Sequence, residues 1–157
     1  MKLSAKQLGD LGEAHAATLL RQRGFKVSQL PANYPTYDLE VTGKGRNFLV
    51  SVKVSRKKQH VSIGSRSSVL RLSEGNYVFA FMPDGVPELT VLDPSQYRLL
   101  ILPAERVRDD SLQVHDAYWA AKGGDVGYRV MVKGYGSHHR DMWPQWLQYT
   151  DAWELIE

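Results

Sequence analysis

The stretch NFLVSVKVS, residues 47–55, constrains the fold more than any other part of the chain. Its apolar residues alternate with other side chains, which is the period of a half-buried β-strand. One face would hold Phe48, Val50, Val52 and Val54, and the other would hold Leu49, Ser51, Lys53 and Ser55. A turn with two glycines, TGKGR, separates this strand from another short apolar run at residues 37–41. The sequence therefore predicts an antiparallel hairpin.

The register of this hairpin decides which polar side chains meet. If pairing is symmetric about the turn, we expect Asp38 to lie across from Lys53 and Glu40 to lie across from Ser51. All four side chains would then share one face, because side chains alternate along a strand. A slip of one residue would move them to opposite faces.

A helix is predicted before the hairpin, over residues 4–23. Ser4 and Gln7 have the spacing of a capping box, and Gly24 is placed to end the helix in a left-handed turn. Glu13 lies inside this helix. The apolar positions near helical spacing, which predict the buried stripe, are Leu8, Leu11, Ala16, Leu19 and Leu20.

The remaining pattern predicts further strands and helices. Strands are expected at residues 25–30, 77–82, 88–92 and 127–133, a short helix at 95–100 and a longer helix at 111–122. A helix, a series of strands and a return to helix indicate an α/β or α+β fold with a mixed sheet. The length of 157 residues suits a single domain, residues 1–157.

Composition excludes several classes of protein. The chain has no cysteine, which excludes a disulfide framework and a thiolate metal site. No apolar run approaches the roughly 18 residues of a membrane span, and the N-terminus lacks the apolar centre of a signal peptide. We therefore expect a cytoplasmic protein. A net charge of +3 is compatible with a nucleic-acid partner without requiring one.

Glu13, Asp38 and Lys53 together have the functional groups that phosphodiester hydrolysis requires. Carboxylates bind a hard divalent cation such as Mg²⁺, which polarises the phosphate and stabilises the charge of the transition state. A nearby lysine can orient the attacking water or contact the phosphate.

The order of Gly12-Glu13, TYDLEV, a glycine turn and FLVSVKVS resembles the PD-(D/E)XK superfamily of restriction-endonuclease-like nucleases. More narrowly, it is similar to small bacterial members and to Holliday-junction-resolvase-like proteins, over roughly the first 60 residues. The resemblance implies an αβββαβ core with a mixed central sheet and extra C-terminal helices and a strand. It also implies a Mg²⁺ or Mn²⁺ cofactor, with Asp38 matching the aspartate of the second strand, Lys53 the motif lysine and Glu13 the helical glutamate of some subfamilies.

Ser51 departs from the pattern of that superfamily, which has Glu, Asp or Gln at this position. Serine is a neutral and weak ligand for Mg²⁺. Either Glu40 supplies a carboxylate that has migrated, or Glu13 and Asp38 hold the metal together with a backbone carbonyl such as that of Val52. The resemblance therefore implies a metal-dependent DNA nuclease. The alternative is an inactive nuclease fold that binds nucleic acid or acts as an immunity-type protein-interaction module.

A basic run directly follows the site strand. Arg56, Lys57 and Lys58, with Arg66 further on, could supply phosphate contacts that do not depend on sequence. The competing interpretation is a solvated loop.

The C-terminus is rich in tryptophan, with Trp143, Trp146 and Trp153. These side chains could stack on bases, but their spacing favours core packing or a dimer contact. A symmetric homodimer would suit a nuclease that must address two strands. His138 and His139 are interpreted as a surface or interface feature, because no third ligand has motif spacing.

Overall fold

A mixed β-sheet with helices on both faces forms the framework of the protein. The computed structural model describes residues 2–58, 60–121, 129–133 and 142–157. The helices are α1 (Ala5–Gln22), α2 (Arg66–Val69), α3 (Ala104–Ala121) and α4 (Met142–Leu147), with a 3-10 helix at Trp153–Leu155. The strands are β1 (Lys26–Gln29), β2 (Leu39–Gly43), β3 (Arg46–Val54), β4 (His60–Ser65), β5 (Tyr77–Pro83), β6 (Tyr97–Pro103) and β7 (Arg129–Lys133).

Among the described residues, the main sheet has five strands in the order β1-β2-β3-β5-β6. Strands β1, β2 and β3 form an antiparallel meander, β3 and β5 run parallel, and β6 returns antiparallel to β5. A parallel pair needs a crossover, which β4 and α2 supply. β4 pairs with β7 in a small separate sheet. With β4 inserted before the second helix, the chain follows the predicted αβββαβ order, and the predicted fold class is confirmed.

The apolar core lies on both faces of the main sheet. On one face, α1 and the C-terminal 3-10 helix cover β2, β3 and β5, with Leu20, Val50 and Phe79 completely buried between them. On the other face, α3 and α4 pack against β5 and β6. The capping box of Ser4 and Gln7 is formed as predicted. Leu11, which was expected in the buried stripe, is 45% exposed.

Two element predictions after β5 are wrong. Residues 95–100 were expected as a short helix, but they lead into β6, and α3 begins at Ala104 rather than at residue 111. The segment 88–92 forms only an isolated bridge between Glu88 and Lys57 instead of a strand. β6 is buried on both faces, with Leu99 in one core and Leu100 in the other, so its sequence lacks the alternation that predicts a strand.

The C-terminal tryptophans are core residues, as their spacing favoured. Trp143 and Trp146 pack under α3, and Trp153 contacts Phe79 edge to face. Their exposed fractions of 3%, 0% and 8% leave no ring face for a base. The indole N–H of Trp146 donates to Asp110 at 2.8 Å. Homodimerisation stays a prediction, and His138 and His139 lie outside the described residues.

In the part of the chain that the structure describes, every helix is too short or too polar to span a lipid bilayer.

Candidate active site

Glu13 and Asp38 bring two carboxyl groups together at the start of β2. Glu13 lies in the middle of α1, and Asp38 immediately precedes Leu39, the first residue of β2. The two side chains are hydrogen-bonded to each other. The pair that the sequence proposed from different elements is therefore in direct contact.

Gly12 explains how α1 can approach the sheet closely enough for this contact. A Cβ atom at Gly12 would overlap Cγ2 of Val54 and lie 3.4 Å from Cγ1 of Val52. Only a glycine lets the helix lie this close to β3. Because Glu13 is the next residue, the close approach places its carboxyl group beside the sheet.

The last residues of β3 run past the start of β2. Pairing between the strands begins with Leu39 opposite Val50, whereas β3 continues to Val54. We call residues 51–54 the β3 extension. Here Asp38 takes the place of a paired strand: its N–H donates to the Val50 carbonyl at 2.9 Å, and its Oδ2 accepts from the Val52 N–H at 2.7 Å. Since the N–H and C=O of a strand residue point to the same side, the Val52 carbonyl faces Asp38 as well.

The register differs from the predicted one by two residues. Glu40 lies opposite Leu49, and the same register continued by one residue places Asp38 beside Ser51 rather than Lys53. The cause is the turn, in which Gly43 pairs with Arg46 and the two residues between them, Lys44 and Gly45, have φ values of 54° and 73°. A two-residue turn of this kind centres the hairpin one residue earlier than assumed.

Glu40 does not join the carboxyl pair. Its side chain is exposed, and its neighbours Leu39 and Val41 are buried in the core under α1. Glu40 therefore projects away from α1, which carries Glu13. Among the described residues, no three Asp, Glu or His side chains form a group that could hold a metal ion. The predicted pairing of Glu40 with Ser51 is therefore wrong, and the hypothesis of a migrated carboxylate loses this geometric support.

The Glu13 carboxyl group has an unusual proton affinity. Partial burial raises its pKa to about 7, and the hydrogen bond and negative charge of Asp38 act in the same direction. The charge of Asp10 also raises the pKa, while that of Lys6 lowers it. Glu13 therefore retains its proton up to about neutral pH.

The carboxyl pair faces a cleft of about 510 Å³ between α1 and the loop that leads to β2, which we call the α1 cleft. Tyr34 and Pro31 contribute to its loop side. Lys6 and Asp10 form an ion pair of 3.0 Å on its helix side. Among the described residues of the lining, the charged groups are three carboxyl groups and one ammonium group. An anionic ligand in the cleft would need a cation for charge balance.

Ser51 is sealed inside the protein. Its exposed fraction is 0%, and its Oγ has no hydrogen-bond partner among the described residues. Ser51 pairs with Val78 of β5 and, like Leu49, projects from the face of β3 opposite to Val52. The serine therefore does not line the α1 cleft.

Lys53 projects from the same face of β3 as Ser51. It pairs with Ala80 of β5, and its side chain is half-buried. The structure thus brings Glu13 and Asp38 together. Lys53 lies on the β3 extension, two residues beyond Ser51.

The predicted phosphate-binding residues have different surroundings. The Arg56 guanidinium binds the Leu3 carbonyl and lies 3.9 Å from the Glu88 carboxylate, so it ties the N-terminal segment to the domain. Lys57 and Lys58 are exposed. Arg66 is also exposed and lies 3.4 Å from the Asp116 carboxylate.

Sequence reasoning missed Lys6 and Asp10 as part of the site. Both precede Glu13 on α1, at separations of seven and three residues, which place them on one stripe of the helix. This spacing was a usable signal once Glu13 had been singled out.

Comparison with known proteins gives the fold but no close relative in sequence. No protein-family model matches the chain, and no curated protein matches it in sequence. A bacterial homing endonuclease, I-Ssp6803I, superposes with a TM-score of 0.54 and 19% identity, over 98% of this chain and 91% of that one.

The Holliday junction resolvase Hjc of Archaeoglobus fulgidus superposes with a TM-score of 0.48 and 16% identity, over 84% of this chain and 87% of that one. The homing endonuclease, matched over nearly the whole chain, is a nuclease of the restriction-endonuclease-like fold. The αβββαβ order, the five-stranded mixed sheet and this likeness identify the chain as a protein with the restriction-endonuclease-like fold.

Proposed function

We propose that this protein is a divalent-cation-dependent nuclease that hydrolyses DNA phosphodiesters. The observation that carries the proposal is the Glu13–Asp38 carboxyl pair, which faces the α1 cleft beside the β3 extension. Two carboxyl groups in contact, with the pKa of Glu13 raised, are an arrangement that a bound cation would stabilise.

The donor atoms suit a hard cation. Carboxylate oxygens of Glu13 and Asp38, with the Val52 carbonyl, are ligands of the kind that Mg²⁺ and Mn²⁺ prefer. When bound, such a cation polarises the phosphate and stabilises the charge that develops in the transition state. The acidic lining of the cleft supports this choice, because a phosphate would otherwise meet net negative charge.

The side chains around the pair have separate tasks in this proposal. Asp38 is held in one orientation by the Val52 N–H, so it is preorganised as a ligand. Glu13 loses its proton near neutral pH and becomes a second ligand. Lys53 is not among the described residues that line the α1 cleft, so its long side chain would reach the scissile phosphate as a point charge around the end of β3.

Exposed cations would hold the DNA backbone on either side. Lys57 and Lys58 lie three and four residues after the end of the β3 extension, and Arg66 begins α2. Each phosphate neutralised in this way makes the slope of log affinity against log salt concentration more negative by about one unit.

One observation favours a second candidate function. At the position where the superfamily carries a carboxylate or an amide, Ser51 is completely buried and offers no ligand to the cleft. An inactive nuclease fold that binds DNA or a protein partner would have this property.

A cleavage assay separates the two candidates. Supercoiled, linear, branched and single-stranded DNA are incubated with the protein in Mg²⁺, in Mn²⁺ and in a chelator. The nuclease proposal predicts cation-dependent cleavage of at least one substrate, with loss of cleavage in Lys53→Ala.

The same samples are followed by thermal unfolding. A nuclease site is expected to raise the melting temperature when Mg²⁺ or Mn²⁺ is added, because the cation binds the folded state alone. If no substrate is cut and neither cation changes the melting temperature, the nuclease proposal fails.

A further inference from the structure

The loop before β2 contains a strained turn at Thr36. Its φ value is 70°, and the Tyr37 N–H donates to the Pro35 carbonyl at 2.7 Å, which forms a three-residue γ-turn around Thr36. A β-branched residue rarely adopts positive φ, and such strain costs about 1–3 kcal/mol. The strain lies two residues before Asp38, so the surrounding contacts must stabilise the turn.

The Thr36 side chain supplies one of these contacts. Its Oγ1 donates to the Ser68 carbonyl at 2.9 Å and lies 3.0 Å from the Ser68 hydroxyl. Ser68 belongs to α2, a different element from the loop. The bond therefore attaches the turn to a fixed point outside its own segment.

Tyr37 supplies the second attachment. The ring is buried, and its hydroxyl donates to the Arg71 carbonyl at 3.1 Å and accepts from the Ser73 N–H at 3.0 Å. Asn76, which also contacts this hydroxyl, accepts the Leu49 N–H through its Oδ1 at 2.8 Å. The tyrosine is thus held by the segment between α2 and β5, and that segment is bound to β3.

The turn explains why Asp38 contacts β3 through its side chain. Continued past Leu39, the register would bring Tyr37 opposite Val52. The Tyr37 N–H instead donates to the Pro35 carbonyl within the γ-turn, so the Val52 N–H needs another acceptor. The Asp38 carboxylate fills this need.

We propose that Thr36 and Tyr37 are positioning residues. Their hydrogen bonds to α2 and to the segment between α2 and β5 orient the Asp38 carboxylate toward the β3 extension. The proposal deepens the nuclease function, and it rests on that function only for its effect on cleavage. Its structural content, the Asp38–Val52 bond, is measurable without any substrate or metal.

The test compares Thr36→Val and Tyr37→Phe, which remove one hydroxyl each, with Thr36→Ser, which keeps the hydroxyl. Amide hydrogen exchange is measured by NMR in the metal-free protein, with Phe79 in the centre of β5 as the reference amide. In Thr36→Val and Tyr37→Phe, loss of the hydrogen bond to the Asp38 carboxylate is expected to accelerate exchange of the Val52 amide at least about tenfold. Thr36→Ser should retain the slow exchange of the wild type.

Cleavage kinetics give the functional half of the test. Thr36→Val and Tyr37→Phe should lower kcat with little change in KM, because the hydroxyls they remove bond to Ser68, Arg71 and Ser73 of the protein itself. Thr36→Ser should retain the kcat of the wild type. The proposal is overturned if Val52 exchange is unchanged in both variants, or if Val52 and Phe79 accelerate equally, which indicates general destabilisation. If the wild type cuts no DNA, the nuclease function fails, while the exchange of Val52 still decides the positioning role.

Discussion

Asp38 and Ser51 are neighbours across the β2–β3 hairpin, but one faces the α1 cleft and the other is enclosed in the core. Asp38 contacts Glu13 and accepts a hydrogen bond from the Val52 N–H. The loop before it is bonded to α2 and to the segment after α2 through Thr36 and Tyr37. Ser51 lies on the closed face of β3, and its hydroxyl has no hydrogen-bond partner in the part of the chain that the structure describes. The comparison shows that a residue can take part in the site only if its side chain reaches the α1 cleft. Its position in a sequence motif does not decide this.

The largest expected effect follows from removing the charge of Asp38. Asp38→Asn should lower cleavage by about 10³-fold, because a cation ligand contributes several kcal/mol to transition-state stabilisation. Glu40→Gln, on the exposed face of the same strand, is the matched control and should retain activity. Equal losses in both variants would contradict the division between the two faces.

Closing the space between α1 and β3 should have the largest effect on stability. Gly12→Ala places a Cβ against Val54, and such overpacking costs about 1–3 kcal/mol of the free energy of unfolding. Gly9→Ala in the same helix meets no atom within 4 Å and should stabilise by about 0.5–1 kcal/mol through helix propensity. Thermal unfolding of the two variants gives the comparison, and a Gly12→Ala protein as stable as Gly9→Ala would refute the close approach.

The charge of Glu13 should make stability fall as pH rises. The folded-state pKa of about 7 lies above the ordinary value of 4.5, so the favourable contribution is fully present below pH 4.5 and is lost as pH rises through 7. Glu13→Gln removes this dependence. At pH 8 in the absence of divalent cations, we expect the variant to be more stable than the wild type by about 1 kcal/mol, after allowance for its partial exposure.

Urea unfolding at pH 4 and pH 8 measures this effect. At pH 4 the two proteins should unfold at similar urea concentrations, because Glu13 is protonated in both states. If Glu13→Gln is less stable than the wild type at pH 8, the Glu13 and Asp38 carboxylates do not repel each other. Asp38 would then lie in different surroundings.

The smallest effect is expected on the enclosed side of β3. Ser51→Ala removes a buried hydroxyl that no described residue bonds, so stability should be unchanged or rise by about 0.5–1 kcal/mol. Ser55→Ala is the control, because that hydroxyl donates to the Lys57 carbonyl at 2.7 Å, and its loss should cost about 1–2 kcal/mol. Reduced cleavage in Ser51→Ala, with stability intact, would instead place the serine in the site.

Much of the fold could be predicted because it depends on local patterns. The alternation in residues 47–55 gave the two faces of β3 correctly, and the capping box gave the start of α1. β6 could not be recognised in this way, since a strand covered on both faces has no alternation. Its run of Leu99 to Leu102 is as apolar as a helix core.

The candidate site was predictable in its members but not in its register. Lys44 occupies a left-handed position of the hairpin turn, where asparagine, aspartate or glycine is usual, so no local signal indicated a two-residue turn. The contact between Glu13 and Asp38 depends on how closely α1 packs on β3. That distance is set by Gly12, whose role is visible only when Val54 is placed opposite.

The most direct test of the central claim is binding of Mn²⁺ to the metal-free protein, followed by amide signals in NMR spectra. Bound Mn²⁺ broadens the signals of nearby nuclei. The Glu13–Asp38 site predicts early broadening at Glu13, Asp38 and Val52, retention of the Trp146 signal, and loss of the effect in Asp38→Asn. Broadening that is uniform, absent, or unchanged in Asp38→Asn would contradict a cation site at this carboxyl pair.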